Sequence, residues 1–205
     1  MIKPHGSDVL NPLYVADDAK RQELANEAKD LPSIVVSSAA AANAVMLGCG
    51  YFNPLTGYMN KADSLAAAEK MITTGGVFFP VPILNCVEDA SAVQGAARIA
   101  LRDPNVDGNP VIAIQDVEAI ETFTDDEMAL MTDKVFRTDD PEHPGVKAFN
   151  SVGKVCISGP IQVLNYSYFE TDFPETFRTA YQIRDEIKAA GWEKVVAFQT
   201  RNPMH

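Results

Sequence analysis

Tryptophan occurs once in these 205 residues, and histidine and cysteine three times each. The cysteines (Cys49, Cys86, Cys156) are far apart and odd in number, with no Cys-x-x-Cys spacing among them. They predict free, mostly buried thiols in a reducing cytoplasm rather than a disulfide framework. His5, His143 and His205 are equally scattered, so sequence neighbours assemble no zinc cluster. Long apolar runs are missing too. None approaches the roughly 18 residues of a membrane-spanning helix, and Met1-Ile2-Lys3-Pro4-His5 has neither the apolar core nor the cleavage site of a signal peptide. Positive charge is scarce, with 17 Lys and Arg against 28 Asp and Glu and a net charge of -11. A field of that sign repels nucleic acid and anionic lipid, and any anion site needs its own local donors.

What is present is ordinary globular composition, 46% hydrophobic and 22% charged. Residues 1–16, with Pro4 and Pro12, read as an irregular arm. A helix is expected over 17–29, stopped by Pro32. A second, over 39–47, is capped by Ser37 or Ser38 and ended by Gly48 or Gly50. Residues 51–59 read as an aromatic-rich turn, and 64–73 as a third helix ended by Gly75-Gly76. Residues 77–87 are apolar but contain Pro80 and Pro82, which suits an edge strand or barrel rim. Strands are expected over 97–101 and 111–117, and one or two more over 151–169 around Gly159-Pro160. Thr124 and Glu127 form a capping box for a helix to about residue 135. Short strands with segregated helices indicate an α+β fold.

The pattern changes near residue 170. Residues 174–190 read as an amphipathic helix, with Phe177, Ala180, Tyr181, Arg184 and Ile187 at helical spacing and Gly191 at its end. Val195-Val196-Ala197-Phe198 then fits a buried parallel strand. Helix, glycine, buried strand is the start of an α/β unit, which places a domain boundary between Tyr168 and Pro174. One strand and one helix cannot bury both faces of the strand, so the second domain is expected to be unfinished in this chain.

Chemistry concentrates after that strand. Gln199, Thr200, Arg201 and Asn202 supply two amides, a hydroxyl and a guanidinium. All donate hydrogen bonds and none is an acid. The set suits a multi-oxygen anion at the carboxyl end of a strand, with Arg201 as a bidentate fork. Pro203 pre-sets the first turn of a following helix, whose N-terminus also favours anions. The plainer reading is that Asn202-Pro203 starts a turn and Arg201 is a surface charge. Pro54-Leu55-Thr56-Gly57 reads as a structural turn, His143-Pro144 as a loop brace, and Asp125-Asp126 as charge complementing a helix dipole.

Val195 to His205 (Val-Val-Ala-Phe-Gln-Thr-Arg-Asn-Pro-Met-His) resembles the signature of the ATP sulfurylase (sulfate adenylyltransferase) family. Gly50-Tyr51-Phe52-Asn53-Pro54-Leu55-Thr56-Gly57-Tyr58-Met59 resembles the family's Gly-Ala-Phe-x-Pro-Leu-x-Gly-Phe-Met. Phe79-Pro80-Val81-Pro82-Ile83, Ile99-Ala100-Leu101-Arg102-Asp103 and His143-Pro144-Gly145-Val146 are similar to family segments as well. The family's second motif histidine would fall beyond His205. The resemblance implies a PUA-like domain with β-barrel character over 1–170. It also implies that residues 171–205 begin a Rossmann-like α/β nucleotidyltransferase domain, truncated here.

It further implies a reaction, ATP plus sulfate giving adenylyl sulfate (APS) and pyrophosphate, by direct attack of sulfate on the α-phosphate. Sulfate is fully ionised at neutral pH, so no general base is needed. The difficulty is bringing a dianion to a polyanion, which calls for positioning and electrostatic stabilisation. On this resemblance Gln199 and Arg201 bind sulfate, and Thr200 and Asn202 hold sulfate or phosphate oxygens. His205 stabilises charge at the α-phosphate and leaving group. Thr200, Arg201, Asn202 and His205 are the catalytic set, and Mg²⁺ rides on ATP. A cytoplasmic homo-oligomer without nucleic-acid or membrane partners is expected. The competing reading is a non-catalytic PUA-like binding or assembly module derived from the same family.

Overall fold

The structure, a computed structural model, describes residues 2–199. Seven strands form one strongly curled sheet. They are β1 (Ser33–Val35), β2 (Gly57–Tyr58), β3 (Cys86–Val87), β4 (Arg98–Arg102), β5 (Val111–Asp116), β6 (Ala119–Thr122) and β7 (Val155–Val163). The path runs β1-β4-β5-β7-β2, with β3 and β6 also on β7. Among the pairs of these described strands, β1/β4 alone is parallel.

The nine-residue β7 is the hub. Its C-terminal half pairs with β5 through Ile161↔Gln115 to Val163↔Ala113, and its N-terminal half pairs with β6 through Val155↔Thr122 to Ser158↔Ala119. The change of partner falls at Gly159, whose φ of +134° lies where side chains are rarely tolerated. A Cβ there would also stand 2.1 Å from the Asp116 carbonyl oxygen. This corner turns a flat sheet into a half-barrel.

Helix α1 (Asp18–Glu27) and helix α2 (Ser38–Gly48) lie where the sequence places them. Ser37 caps α2 by accepting from the Ala40 amide at 3.1 Å. The Ala39–Ala42 run has a packing role, since Ala40, Ala41 and Ala44 are fully buried against the sheet. The main core joins them to Ile99, Leu101, Ile112, Ile157 and Val163. A second apolar cluster, with Met128, Met131, Phe123, Cys86 and Cys156, sits beneath helix α4 (Asp125–Phe136).

The capping box on α4 is present. Thr124 Oγ1 accepts from the Glu127 amide at 3.2 Å, and Glu127 Oε2 accepts from the Thr124 amide at 2.7 Å. Thr124→Ala removes one of these bonds and is expected to cost about 1 kcal/mol, lowering the unfolding temperature by about 2–4 °C. Lys61 also reaches Glu127, at 2.7 Å. The Lys61 bond, then the Thr124 amide, hold the Glu127 carboxyl below the usual glutamate range. A carboxyl lowered by folding binds fewer protons in the native state than in the unfolded one. Its stabilisation is full above the ordinary glutamate range and fades as pH falls through the lowered value. Glu127→Gln is therefore expected to lower the unfolding temperature near neutral pH. It should also lose less than wild type between about pH 6 and about pH 3.

Several expectations shift. The third helix is Lys61–Lys70, starting three residues early because Asn60 caps it and ending at Met71 in the left-handed conformation. Residues 77–87 yield only β3. Pro80 and Pro82 lack the amides a ladder needs. The expected strand region 151–169 contracts to β7, and helix α5 (Pro144–Asn150) precedes it. The expected helix over 174–190 is α7 (Ala180–Ala189), preceded by the four-residue α6 (Phe169–Asp172). Thr179 and Gln182 form a second capping box that fixes the later start. The buried parallel strand expected over 195–198 is absent. That segment has no regular structure, and Val196 and Phe198 are 92% and 85% exposed. No strand among the described residues lies beside it to share a ladder or cover its faces.

Candidate functional site

The anion-binding cluster expected at 199–205 is reached through a bracket built by the end of the chain. Beyond β7, Tyr166 stacks on Tyr14 of the N-terminal arm with ring centroids 4.4 Å apart. Phe177 packs on Tyr166 at 5.1 Å. The Ala180 amide, at the first turn of α7, donates to the Cys49 carbonyl at 3.0 Å. Tyr51 Oη donates to the Arg178 carbonyl at 2.7 Å, and Tyr181 Oη to the Leu10 carbonyl at 3.1 Å. Arg184 Nη2 donates to the Ile2 carbonyl at 2.6 Å. Helix α7 is thus held by hydrogen bonds to the arm and to the end of α2. Its inner side, through Ile183, Arg184 and Ile187, is only half-buried.

The thiol and the phenol at the junction are both held in their neutral forms. Burial, and secondarily the Glu170 carboxylate, push the Cys49 thiol up to about 12, so it stays neutral. Burial, and then Cys49, raise the Tyr51 phenol. These groups act as neutral packing and hydrogen-bonding partners.

Helix α7 ends with Gly191 at φ +67° and the Trp192 amide bonded to the Ile187 carbonyl. The chain then runs exposed to Gln199. Of the expected site, only Gln199 is described, and it is solvent-exposed. Thr200, Arg201, Asn202 and His205 lie outside the described residues.

The other singled-out segments have structural places. Asn53 is buried and ties down the arm, accepting from the Asn11 amide and donating to the His5 carbonyl and Ser7 Oγ. Gly57 lies against β7 so closely that a Cβ would meet the Gly159 carbonyl oxygen at 2.0 Å. His143 caps α5, with Nδ1 accepting from the Val146 amide at 3.3 Å. Asp125 pairs with Lys154 in the first turn of α4. Among the described residues no three His, Cys, Asp or Glu side chains converge as a metal site. The three cysteines are free and buried, as expected. A groove of about 700 Å³ opens between the start of α2, residues 81–88 and helices α4 and α5, with a mostly apolar wall.

The positioning residues Tyr51, Tyr181 and Arg184 escape sequence reading as a set. Their partners lie 127, 171 and 182 residues away along the chain. A half-polar helix beside an irregular arm gives no local sign that the two meet.

Two family models match the chain. A family model described as a PUA-like domain matches residues 2–166, and one described as ATP-sulfurylase matches residues 174–205. A sulfate adenylyltransferase of Allochromatium vinosum is 62% identical over all 205 residues, which cover 52% of that relative. One from Alcanivorax borkumensis is also 62% identical, with 51% of its length covered. One from the Riftia pachyptila sulfur-oxidizing endosymbiont is 58% identical, with 46% covered. The chain thus spans about half the length of these curated relatives. A solved structure of a hexameric APS kinase from Thiobacillus denitrificans superposes with a TM-score of 0.73 at 25% identity. The match covers all of this chain and 35% of that one. Along its whole length the sequence is similar to curated sulfate adenylyltransferases, and the chain belongs to the PUA-like domain family.

Proposed function

We propose that the protein carrying this chain is a sulfate adenylyltransferase that joins sulfate to the α-phosphate of ATP, releasing pyrophosphate and forming APS. The observation that carries this reading is identity of about 60% with curated sulfate adenylyltransferases over all 205 residues. In the reaction a sulfate oxygen forms the new bond to the α-phosphorus as the bond to pyrophosphate breaks. No proton moves, which agrees with a cluster that contains no carboxylate.

Arg201 and Gln199 hold sulfate, while Thr200 and Asn202 hold sulfate or phosphate oxygens. His205 offsets charge growing on the α-phosphate and on the departing pyrophosphate. Mg²⁺ enters on the nucleotide phosphates as part of the substrate, because the cluster offers neutral and cationic donors rather than carboxylates.

The second domain of the reading begins between Tyr168 and Pro174, so that residues 1–170 form the PUA-like domain. Residues 171–205 open a Rossmann-like α/β nucleotidyltransferase domain. Its support is the order of α7, Gly191 and the exposed apolar run 195–198. Such a run forms a parallel strand only when neighbouring strands and covering helices are supplied. The PUA-like domain then serves as the platform that the arm, Tyr51 and Cys49 build for α7. The structural neighbour from Thiobacillus denitrificans is hexameric, which supports assembly of this protein as a homo-oligomer. A cytoplasmic location accords with the free cysteines. No helix among the described residues is long and apolar enough to cross a membrane.

Pyrophosphate release from ATP tests the reading in the forward direction. Release that requires sulfate is expected. Release that is indifferent to sulfate, or none from a folded sample, contradicts it.

A further inference from the structure

Two of the three thiols face each other in the second apolar cluster, between the sheet and α4. Cys86 on β3 stands opposite Cys156 on β7 in an antiparallel pair. The Ile157 amide donates to the Asn85 carbonyl, so the adjacent level is the hydrogen-bonded one. Cys86 and Cys156 therefore occupy the non-hydrogen-bonded level, where facing Cα atoms approach to about 4.5 Å and side chains stand closest. That separation falls within the range a disulfide spans. Both side chains enter the same small apolar cluster under α4. Cys86 also contributes to the wall of the 700 Å³ groove, beside Leu84 and Met131. Cys156 is fully buried and lies 3.5 Å through Sγ from the Met59 carbonyl, to which its thiol donates.

We propose that Cys86 and Cys156 are a redox pair that closes to a cross-strand disulfide when hydrogen peroxide enters through the groove. In the first step a sulfur–oxygen bond forms at Cys86 as the peroxide O–O bond breaks. The Cys86 thiol proton leaves with the departing hydroxyl as water, and Cys86 becomes a sulfenic acid. In the second step Cys156 sulfur bonds to Cys86 sulfur. The Cys86 S–O bond breaks, and the Cys156 proton leaves with that hydroxyl as a second water. Both sulfurs are oxidised by one peroxide, which is reduced to two waters. The Cys86 thiol, burial, and the Glu121 charge keep Cys156 protonated, which supplies the proton the second step needs. Burial also makes the pair slow to react, so this is a response to sustained peroxide rather than to a pulse. Once closed, the bond staples one wall of the groove to the hub strand and closes a loop of about 70 residues.

The experiment is titration of the purified protein with hydrogen peroxide, followed by alkylation after denaturation and by peptide mapping. The expected product has lost about 2 Da, the two thiol hydrogens. It retains one alkylatable thiol, Cys49, and yields a Cys86–Cys156 linked peptide. Its unfolding temperature is raised by about 5 °C or more, reversibly on reduction. In Cys156→Ser, Cys86 is expected to stop at the sulfenic acid and be trapped by dimedone, whereas wild type is not labelled there. Should that variant not fold, the wild-type peptide map alone decides. Persistent dimedone labelling of wild-type Cys86 overturns the proposal, as does recovery of three alkylatable thiols after prolonged peroxide or linkage of either cysteine to Cys49.

Discussion

Replacing Arg201 with alanine in the full-length protein is expected to lower turnover by at least about a hundredfold, in either direction, with the unfolding temperature unchanged. The reason is charge. Bringing one unit of sulfate charge to about 4 Å from one unit of phosphate charge costs about 4 kcal/mol at an effective dielectric near 20. A guanidinium placed against the sulfate offsets a contribution of that size, equivalent to about a thousandfold in rate. The net charge of -11 on these 205 residues makes a local cation more necessary, since a field of that sign opposes an anionic ligand. Arg201→Lys separates charge from geometry. Lysine keeps the unit charge but loses the planar fork, so it should recover only part of the rate. Wild-type rates in a folded Arg201→Ala protein would remove this residue from the sulfate site.

Gly57→Ala is expected to destabilise the PUA-like domain by about 3 kcal/mol, with the unfolding temperature falling by about 6–12 °C. The three nearest atoms to the added Cβ are all backbone: the Gly159 carbonyl oxygen at 2.0 Å, Pro160 Cα at 2.7 Å and the Gly159 carbonyl carbon at 2.8 Å. No side chain can swing aside. The two strands must part, which breaks the β2/β7 pair and the Ile161 amide bond to the Thr56 carbonyl. Gly76→Ala is the matched control. Its φ is +83°, but nothing lies within 4 Å of the added Cβ, so only backbone strain of about 1 kcal/mol is expected. Equal stability losses at the two sites would contradict the close-approach argument.

These cases show which parts of the molecule local sequence can specify. The α4 capping box and the Ser37 cap are legible because donor, acceptor and helix lie within four residues of one another. Strands β4, β5 and β7 are legible because each is a short apolar run between turn residues. Strands β1 and β6 are three and four residues long, and their identity comes from pairing with β4 and β7 rather than from their own composition. The half-barrel itself rests on one glycine at a corner and on β7 having several partners, neither of which has a period to read. The apolar run 195–198 shows the converse. Its composition suits a buried strand, yet a strand needs neighbours, and here the run is exposed. For the candidate site, donor chemistry and family resemblance were legible at Gln199 to His205. The bracket that carries the chain there was not, because Tyr51, Tyr181 and Arg184 act across the whole length of the domain.

ATP formation from APS and pyrophosphate, measured on the full-length protein purified from its source, tests the central claim most directly. The sulfate–phosphate anhydride lies uphill of ATP, so this direction gives the larger signal. The account predicts robust ATP formation that requires Mg²⁺ and both substrates and is lost in Arg201→Ala. A folded protein that makes no ATP from APS and pyrophosphate would contradict it.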